Sequence, residues 1–273
     1  MQPNAYRALA QSEQEGWYYQ ARARAVTTLV REFIPHSAEL KILDVGCGTG
    51  GTSHAFEQLG QVTGLEPSAL AMDLLRARYP ELLAIRGTVE EIPNLFAPVS
   101  FDLATIMGVL YHANVVEPVE ALRNIRQSLK PSGWIVWNEA VYPFLKRRHD
   151  VFVHTGRRFY PRQMHRALED AGFEVLFGSH LLSWAFPIGL GLAAAYRARS
   201  FLSRAMPRKL VGDPADDRLL PTTLSNILRA LTYWEWYFSL KVARLPVGIS
   251  YLVIARNGVQ QRADSRPDRS RAA

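Results

Sequence analysis

The sequence predicts an α/β fold: a doubly wound, seven-stranded, mostly parallel sheet with a helical insertion before the last strand. Three observations predict it. Strand-like and helix-like segments alternate from residue 41 to residue 178, the pattern of a parallel sheet with helices on both faces. A glycine-rich turn, Gly46-Cys47-Gly48-Thr49-Gly50-Gly51, follows the first strand. Residues 179–247 separate the last two strands, far more than the ~2–5 residues of a hairpin loop, so that stretch has to hold helices.

Each element has its own local reason. Val26, Leu29, Val30, Phe33 and Ile34 recur at helical spacing, so a helix is expected to end near Pro35. "KILDVG" reads as a buried parallel strand. "TSHAFEQLG" reads as a helix closing at Gly60, and "QVTGLE" as the second strand. Ser68 is placed to cap a helix running through Arg78. "LLAIRG" and "FDLATIMG" are strands three and four. Val119, Leu122, Ile125 and Leu129 mark a helix stopped by "KPSG", after which "WIVWNEA" is strand five. "PRQMHRALEDAG" opens on Pro161 and closes on Gly172 as a helix should. "FEVLFG" and the late "GISYLVIAR" complete the sheet. Within the insertion, helices are expected over about 188–205 and 223–240, the second with Leu224, Ile227, Leu228, Leu231, Trp234 and Phe238 on one face and Tyr233, Trp236 and Tyr237 on the other. The division is then 1–35 an N-terminal helical cap, 36–178 the core, 179–247 the insertion, 248–257 the last strand and 258–273 a tail expected to be disordered.

The chain has 273 residues, 48% hydrophobic and 21% charged, enough for a full core and against global disorder. A single cysteine, Cys47, excludes a disulfide framework and a multi-cysteine zinc site, and no metal is expected. No signal peptide is expected. The longest uncharged apolar stretch, Leu181 to Tyr196, falls short of the ~18–20 residues that cross a bilayer. A cytoplasmic location is expected, with contact at the inner face of the membrane left open. The net charge of +7 is uneven: residues 36–140 carry 7 Lys/Arg against 12 Asp/Glu, and residues 141–210 carry 12 against 4. The basic segment is either a solvated face or a site for an anionic partner.

The glycine turn raises the question of a cofactor. Ligands of an open parallel sheet bind beyond the carboxyl ends of its strands, and glycines there let backbone amides approach them. That fits NAD and S-adenosylmethionine alike. Asp44, two residues before the first glycine, separates them. A dinucleotide brings a pyrophosphate to this turn, which a carboxylate repels. S-adenosylmethionine brings a sulfonium and an ammonium, which a carboxylate attracts. Glu66, ending strand two, is placed for ribose hydroxyls in either case.

"LDVGCGTG", "VTGLEPS", "FDLATIMGVLYH" and "ALRNIRQSLKPSGWIVW" resemble, in order, the motifs of class I S-adenosylmethionine-dependent methyltransferases, with the nearest likeness to the small-molecule group that includes quinone-biosynthesis enzymes. The resemblance covers residues 36–178. It implies an antiparallel seventh strand, and a site in which Asp44, Gly46, Cys47, Gly48 and Gly50 line the methionine part. It places Glu66 on the ribose, Pro67 beside the adenine, and Met107 and Gly108 at the sulfonium. Where relatives often read Gly-Asp-Ala after strand three, this chain reads Gly87-Thr88-Val89-Glu90. Thr88 and Val89 then border the adenine; Thr88 is a weaker acceptor for its amino group than a carboxylate would be, and Glu90 is the alternative that would reach in its place. "EGWYYQARARAVTTLV", "HTGRRFYPRQM" and "LPVGIS" are similar to stretches of bacterial methyltransferases linked to polysaccharide, lipid or secondary-metabolite pathways.

For the acceptor, methyl transfer is an in-line displacement in which the protein positions the nucleophile and removes its proton. His112, just past strand four, and His154 are the candidate bases; alternatively His112 is hydrogen-bonded to the loop that shapes the pocket. Arg157 and Arg158 are read as a clamp for a substrate acid or as a solvated pair. Tyr111 and Tyr160 are placed to orient a substrate. The apolar stretch running into "RARSFLSRAMPRK" suits an interfacial helix, a lid over a greasy substrate or a buried cap. The leading expectation is methylation of a small acceptor, lipid-like or anionic. The alternatives are tRNA modification, a non-catalytic binding subunit, and an NAD-dependent oxidoreductase, the last disfavoured by Asp44.

Overall fold

The computed structural model describes residues 3–34, 39–202 and 220–258. Two helices come first, α1 (Pro3–Glu15) and α2 (Trp17–Phe33). They are broken at Gly16, whose backbone is extended and which sits against the Ser12 carbonyl where a Cβ would come within 2.3 Å of the oxygen. The core follows as β1 (Leu40–Val45), α3 (Gly51–Phe56), β2 (Gly60–Glu66), α4 (Ala69–Arg78), β3 (Leu83–Arg86), α5 (Ile92–Leu95), β4 (Phe101–Met107), α6 (Pro118–Ser128) and β5 (Leu129–Ala140). Then come α7 (Arg148–Phe152), α8 (Pro161–Asp170), β6 (Phe173–Leu181), α9 (Phe186–Leu202), α10 (Thr222–Lys241) and β7 (Ser250–Asn257).

The seven strands form one sheet in the order β3-β2-β1-β4-β5-β7-β6. β7 runs antiparallel to both β5 and β6, and the other pairings are parallel. Side-chain alternation splits the core between the two faces. Leu43, Val45, Ile135 and Trp137 pack with Leu122, Ile125 and Leu168 on one face. Ile42, Val136 and Leu252 pack with Val26, Leu29 and Phe56 on the other.

The architecture is the expected one, with local differences. α3 stops at Phe56 and a tight 3-10 turn, Glu57–Leu59, completes the run to Gly60. "KPSG" does not simply end α6. β5 already starts at Leu129, and the four residues are taken up as a register shift against Phe101 and Leu103, with Ser132 at φ 61°. Pro131 has no amide to give a ladder, so a bulge is where it fits. β6 extends to Leu181. α10 is turned opposite to its apolar pattern. Ser225, Thr232, Trp236 and Ser239 are buried, whereas Leu224, Ile227, Leu231, Trp234 and Phe238 are exposed. Small hydroxyl residues let α10 lie close to α2 and β6, and Ser239 donates to the Ser179 hydroxyl at 2.5 Å. The Arg24 guanidinium stacks on the Tyr233 ring at 3.8 Å. Residues 259–273 of the expected disordered tail, and Arg204, Arg208 and Lys209 of the basic segment, lie outside the described residues. No helix among the described residues is long and apolar enough to cross a membrane.

Candidate functional site

Strand order reverses between β1 and β4, and there, at the carboxyl ends of β1, β2, β4 and β5, opens a cavity of about 890 Å³. A crevice at this position is where doubly wound sheets bind ligands. α1 and α2 wall its other side through Tyr6, Glu13, Trp17 and Arg22; Trp17 and Arg22 belong to the stretch "EGWYYQARARAVTTLV", to which no site role was attached, and Tyr6 and Glu13 precede it.

The turn after β1 is built from left-handed glycines: Gly46 at φ 71°, Gly48 at 58° and Gly50 at 85°. At Gly46 a Cβ would also sit 2.4 Å from a Val109 methyl, so only glycine fits. Gly46, Cys47 and Gly48 line the cavity. Gly50 does not: it faces Leu75 of α4 and caps α3. Cys47 is buried, which pushes its thiol up and leaves it an uncharged wall.

Asp44 lies in the cavity wall, buried, accepting hydrogen bonds from Ser53 Oγ at 2.5 Å and Thr105 Oγ1 at 2.6 Å. Burial raises its carboxyl, and those two hydroxyls oppose the rise. Glu66 accepts from the amides of Gly48 and Ser68, at 3.0 and 2.9 Å, so the acid that ends β2 also pins the turn that follows β1. Glu13 of α1 reaches across to accept from Thr49 Oγ1 at 2.5 Å and from the amide of Gly51 at 3.0 Å. Gly51 is the first residue of α3, so a carboxylate already occupies the helix N-terminus where a pyrophosphate would bind. This strengthens the argument from Asp44 against a dinucleotide.

Arg22 is buried between the Tyr18 and Tyr19 rings, 5.5 and 5.0 Å from their centroids. Its Nη2 donates to Thr52 Oγ1 at 3.1 Å, while its Nε is buried without a hydrogen-bond partner. A buried guanidinium with an unpartnered Nε beside a carboxylate-lined turn suits the carboxylate of an amino acid-like ligand. The residues present therefore fit S-adenosylmethionine: carboxylates for its cationic groups, a guanidinium for its acid and no seat for phosphate. Pro67, Thr88, Val89, Met107 and Gly108 line the same cavity, with Thr88 capping a short turn over Val89–Glu91.

Beyond β4 the chain makes a turn through Tyr111 and His112, and the loop 150–158 folds onto it. The amides of Gly156 and Arg157 donate to the Tyr111 carbonyl, and Ala113 donates to that of His154. This brings His112 and His154, 42 positions apart in sequence, into one wall. Burial lowers His112 to about 4, so its imidazole is neutral. His154 holds a left-handed backbone, φ 58°. The Tyr111 ring lies 4.4 Å from that of His112, and burial raises its phenol.

The other expected substrate residues are placed differently. Arg158 lines the cavity but is bound to Asp150, Nε to Oδ1 at 2.6 Å, both buried. Burial alone would raise the Asp150 carboxyl, but the Arg158 guanidinium holds it below the usual range. Arg157 is outside the cavity, its guanidinium donating to the carbonyls of Val115 and Val116. Tyr160 is also outside, capping α8 and meeting Tyr142 edge-on. The structure thus dissolves the expected arginine clamp into one internal ion pair and one loop brace. Among the described residues no cluster of His, Cys, Asp or Glu could hold a metal ion.

Residues 43–137 match the family model described as a methyltransferase domain. A tRNA U34 carboxymethyltransferase of Shewanella denitrificans is 36% identical over 118 residues, 39% of this chain and 33% of that protein. A ubiquinone biosynthesis O-methyltransferase of Albidiferax ferrireducens is 32% identical over 122 residues, 41% of this chain and 47% of that one. The chain therefore covers between a third and a half of the length of these curated relatives. A solved SAM-dependent methyltransferase from Thermotoga maritima superposes with a TM-score of 0.58, covering 93% of this chain and 95% of the other at 17% identity. The chain has the class I methyltransferase fold. The quinone-type subgroup is not favoured over relatives named for tRNA modification.

Proposed function

We propose that this protein is an S-adenosylmethionine-dependent methyltransferase. The observation that carries the proposal is the charge arrangement at the glycine turn. Asp44, Glu66 and Glu13 surround it, Glu13 fills the α3 N-terminus, and Arg22 faces it with its Nε unpartnered. When bound, the cofactor supplies a methyl group on a good leaving group. Asp44 holds the cationic methionine end and Arg22 its carboxylate. Glu66 takes the ribose hydroxyls, Pro67, Thr88 and Val89 flank the adenine, and Met107 and Gly108 border the reacting sulfur. α1 and α2 exclude water. Neutral His112, or His154 beside it, takes the proton from the acceptor.

Of the acceptor classes, the names of the relatives support tRNA modification better than a lipid-like or anionic small molecule. The anionic reading is further weakened because Arg158 is already neutralised by Asp150. One observation favours a small acceptor: part of the cavity lies under the apolar helix α9. Calorimetry with S-adenosylmethionine, its demethylated product and NAD tests the cofactor. Binding of both sulfur compounds and its loss in Asp44→Ala are expected; tight NAD binding with no response to either refutes the reading.

A further inference from the structure

We propose that the acceptor is an uncharged, mainly apolar small molecule, seated in a channel between α9 and the Tyr111–His112 turn. This rests on the methyl-transfer reading and departs from the tRNA acceptor of the relatives. The cavity divides by chemistry. Its cofactor end carries Asp44 and Glu66 from the sheet and Arg22 from α2. Its far side is lined from α9 and its flanks by Leu182, Trp184, Ala185, Ile188 and Leu192, with Ile249 facing them. Ile188 and Leu192 are 57% and 45% exposed although they line the cavity, so apolar surface is left open at its mouth.

The channel is also built to stay close. A Cβ on Gly189 would sit 3.0 Å from an Ile249 methyl, so the glycine lets α9 approach the lead into β7. α9 is anchored by the Glu235 carboxylate, which accepts from the Trp184 amide at 3.0 Å, and by the Trp184 indole, which donates to Thr232 Oγ1 at 3.2 Å. The charged groups of the wall are spent internally: Arg158 on Asp150, and Asp150 on the Arg147 amide as well, at 2.9 Å. His112 is neutral. Among the described residues a polyanion finds no unpaired guanidinium on this wall, whereas an apolar body finds Ile188 and Leu192 uncovered.

The test uses the full chain and two readouts. The neutral fluorophore N-phenyl-1-naphthylamine is the probe of the channel, and calorimetry with S-adenosylmethionine reports the cofactor side separately. Ile188→Glu and Leu192→Glu are each expected to weaken the probe about tenfold or more and leave cofactor affinity within about twofold. Ile188→Leu restores binding, and Ile227→Glu, on the exposed face of α10, changes neither. With methyl-labelled cofactor, cell extract should take label into the organic-soluble fraction. Probe binding indifferent to Ile188 and Leu192, or label passing into tRNA, overturns the proposal. Failure to bind S-adenosylmethionine overturns the methyl-transfer reading instead, and the probe titration still reads the channel by itself.

Discussion

Replacing Glu139 by glutamine should stabilise this protein at pH 8 and leave it nearly unchanged at low pH. Glu139 lies one residue before the end of β5, fully buried, and its Oε1 accepts from the amides of Val109 and Leu110, at 3.0 and 2.7 Å, and from the Trp137 indole at 3.1 Å. Its Oε2 is buried without a partner. Burial raises the carboxyl from 4.5 to about 7, against the pull of those three donors. In the unfolded chain the group ionises near 4.5; in the folded one it keeps its proton until about 7. Between those values the folded state binds one more proton than the unfolded state, so stability falls as pH rises. The gap corresponds to ~3 kcal/mol at about 1.36 kcal/mol per pH unit, present in full below pH 4.5 and lost above about 7. Glutamine is a neutral isostere of the protonated acid, and its carbonyl serves the same donors. Urea unfolding from pH 4.5 to 8 should show the two proteins converging at the acid end. At pH 8 the variant should be ahead by about 3 kcal/mol. A variant with the same pH slope as the parent, or one less stable at pH 8, would refute the reasoning.

Three other outcomes are expected. Arg158→Ala strands the buried Asp150 carboxylate and should cost ~3–5 kcal/mol in urea unfolding, whereas Arg157→Ala, a half-buried brace on backbone carbonyls, should cost about 1 kcal/mol or less. If the two are equal, the ion pair is not the difference. Because His112 titrates only near 4, the rate should show no inflection between pH 6 and 9 from its charge; an inflection near 6.5 that vanishes in His112→Gln would contradict this. Gly46→Ala meets both a positive φ and the Val109 methyl at 2.4 Å; it should cost over ~2 kcal/mol and abolish cofactor binding by calorimetry, and near-native values for both would show the turn to be adaptable.

The sheet was readable from sequence because its signals are local. "KILDVG" and "WIVWNEA" are apolar runs too short for helices, and glycines stand where the chain reverses. α10 was not readable in the same way. Its apolar stripe from Leu224 to Phe238 has helical spacing, but spacing says only which residues share a face, not which face meets the protein. Ser225, Thr232 and Ser239 are buried because α2 and β6 come close enough to need small side chains, and that closeness belongs to the partner helix. The same limit hid the role of α1 within the expected helical cap, since its buried residues gain their meaning only when Glu13 meets Gly51.

The site divides along the same line. Asp44, Gly46, Gly48 and Glu66 announce themselves because backbone geometry and charge must coincide within a few residues of a strand end. Glu13 and Arg22 lie on helices before the core, and a carboxylate or guanidinium there reads as an ordinary solvated charge. What distinguishes them is burial: Glu13 is nearly sealed and its carboxyl is raised by burial, and Arg22 has an unpaired Nε. A weak sequence cue existed, since the two flank the aromatic run Trp17, Tyr18 and Tyr19 in helices otherwise rich in alanine and polar residues. Arg157 and Arg158 erred in the opposite direction. Adjacent arginines look like an anion clamp, but neighbours in an extended segment point opposite ways, so one turned to Asp150 and the other to the Val115 and Val116 carbonyls. Pairing in sequence therefore predicted the charge of that wall and not its use.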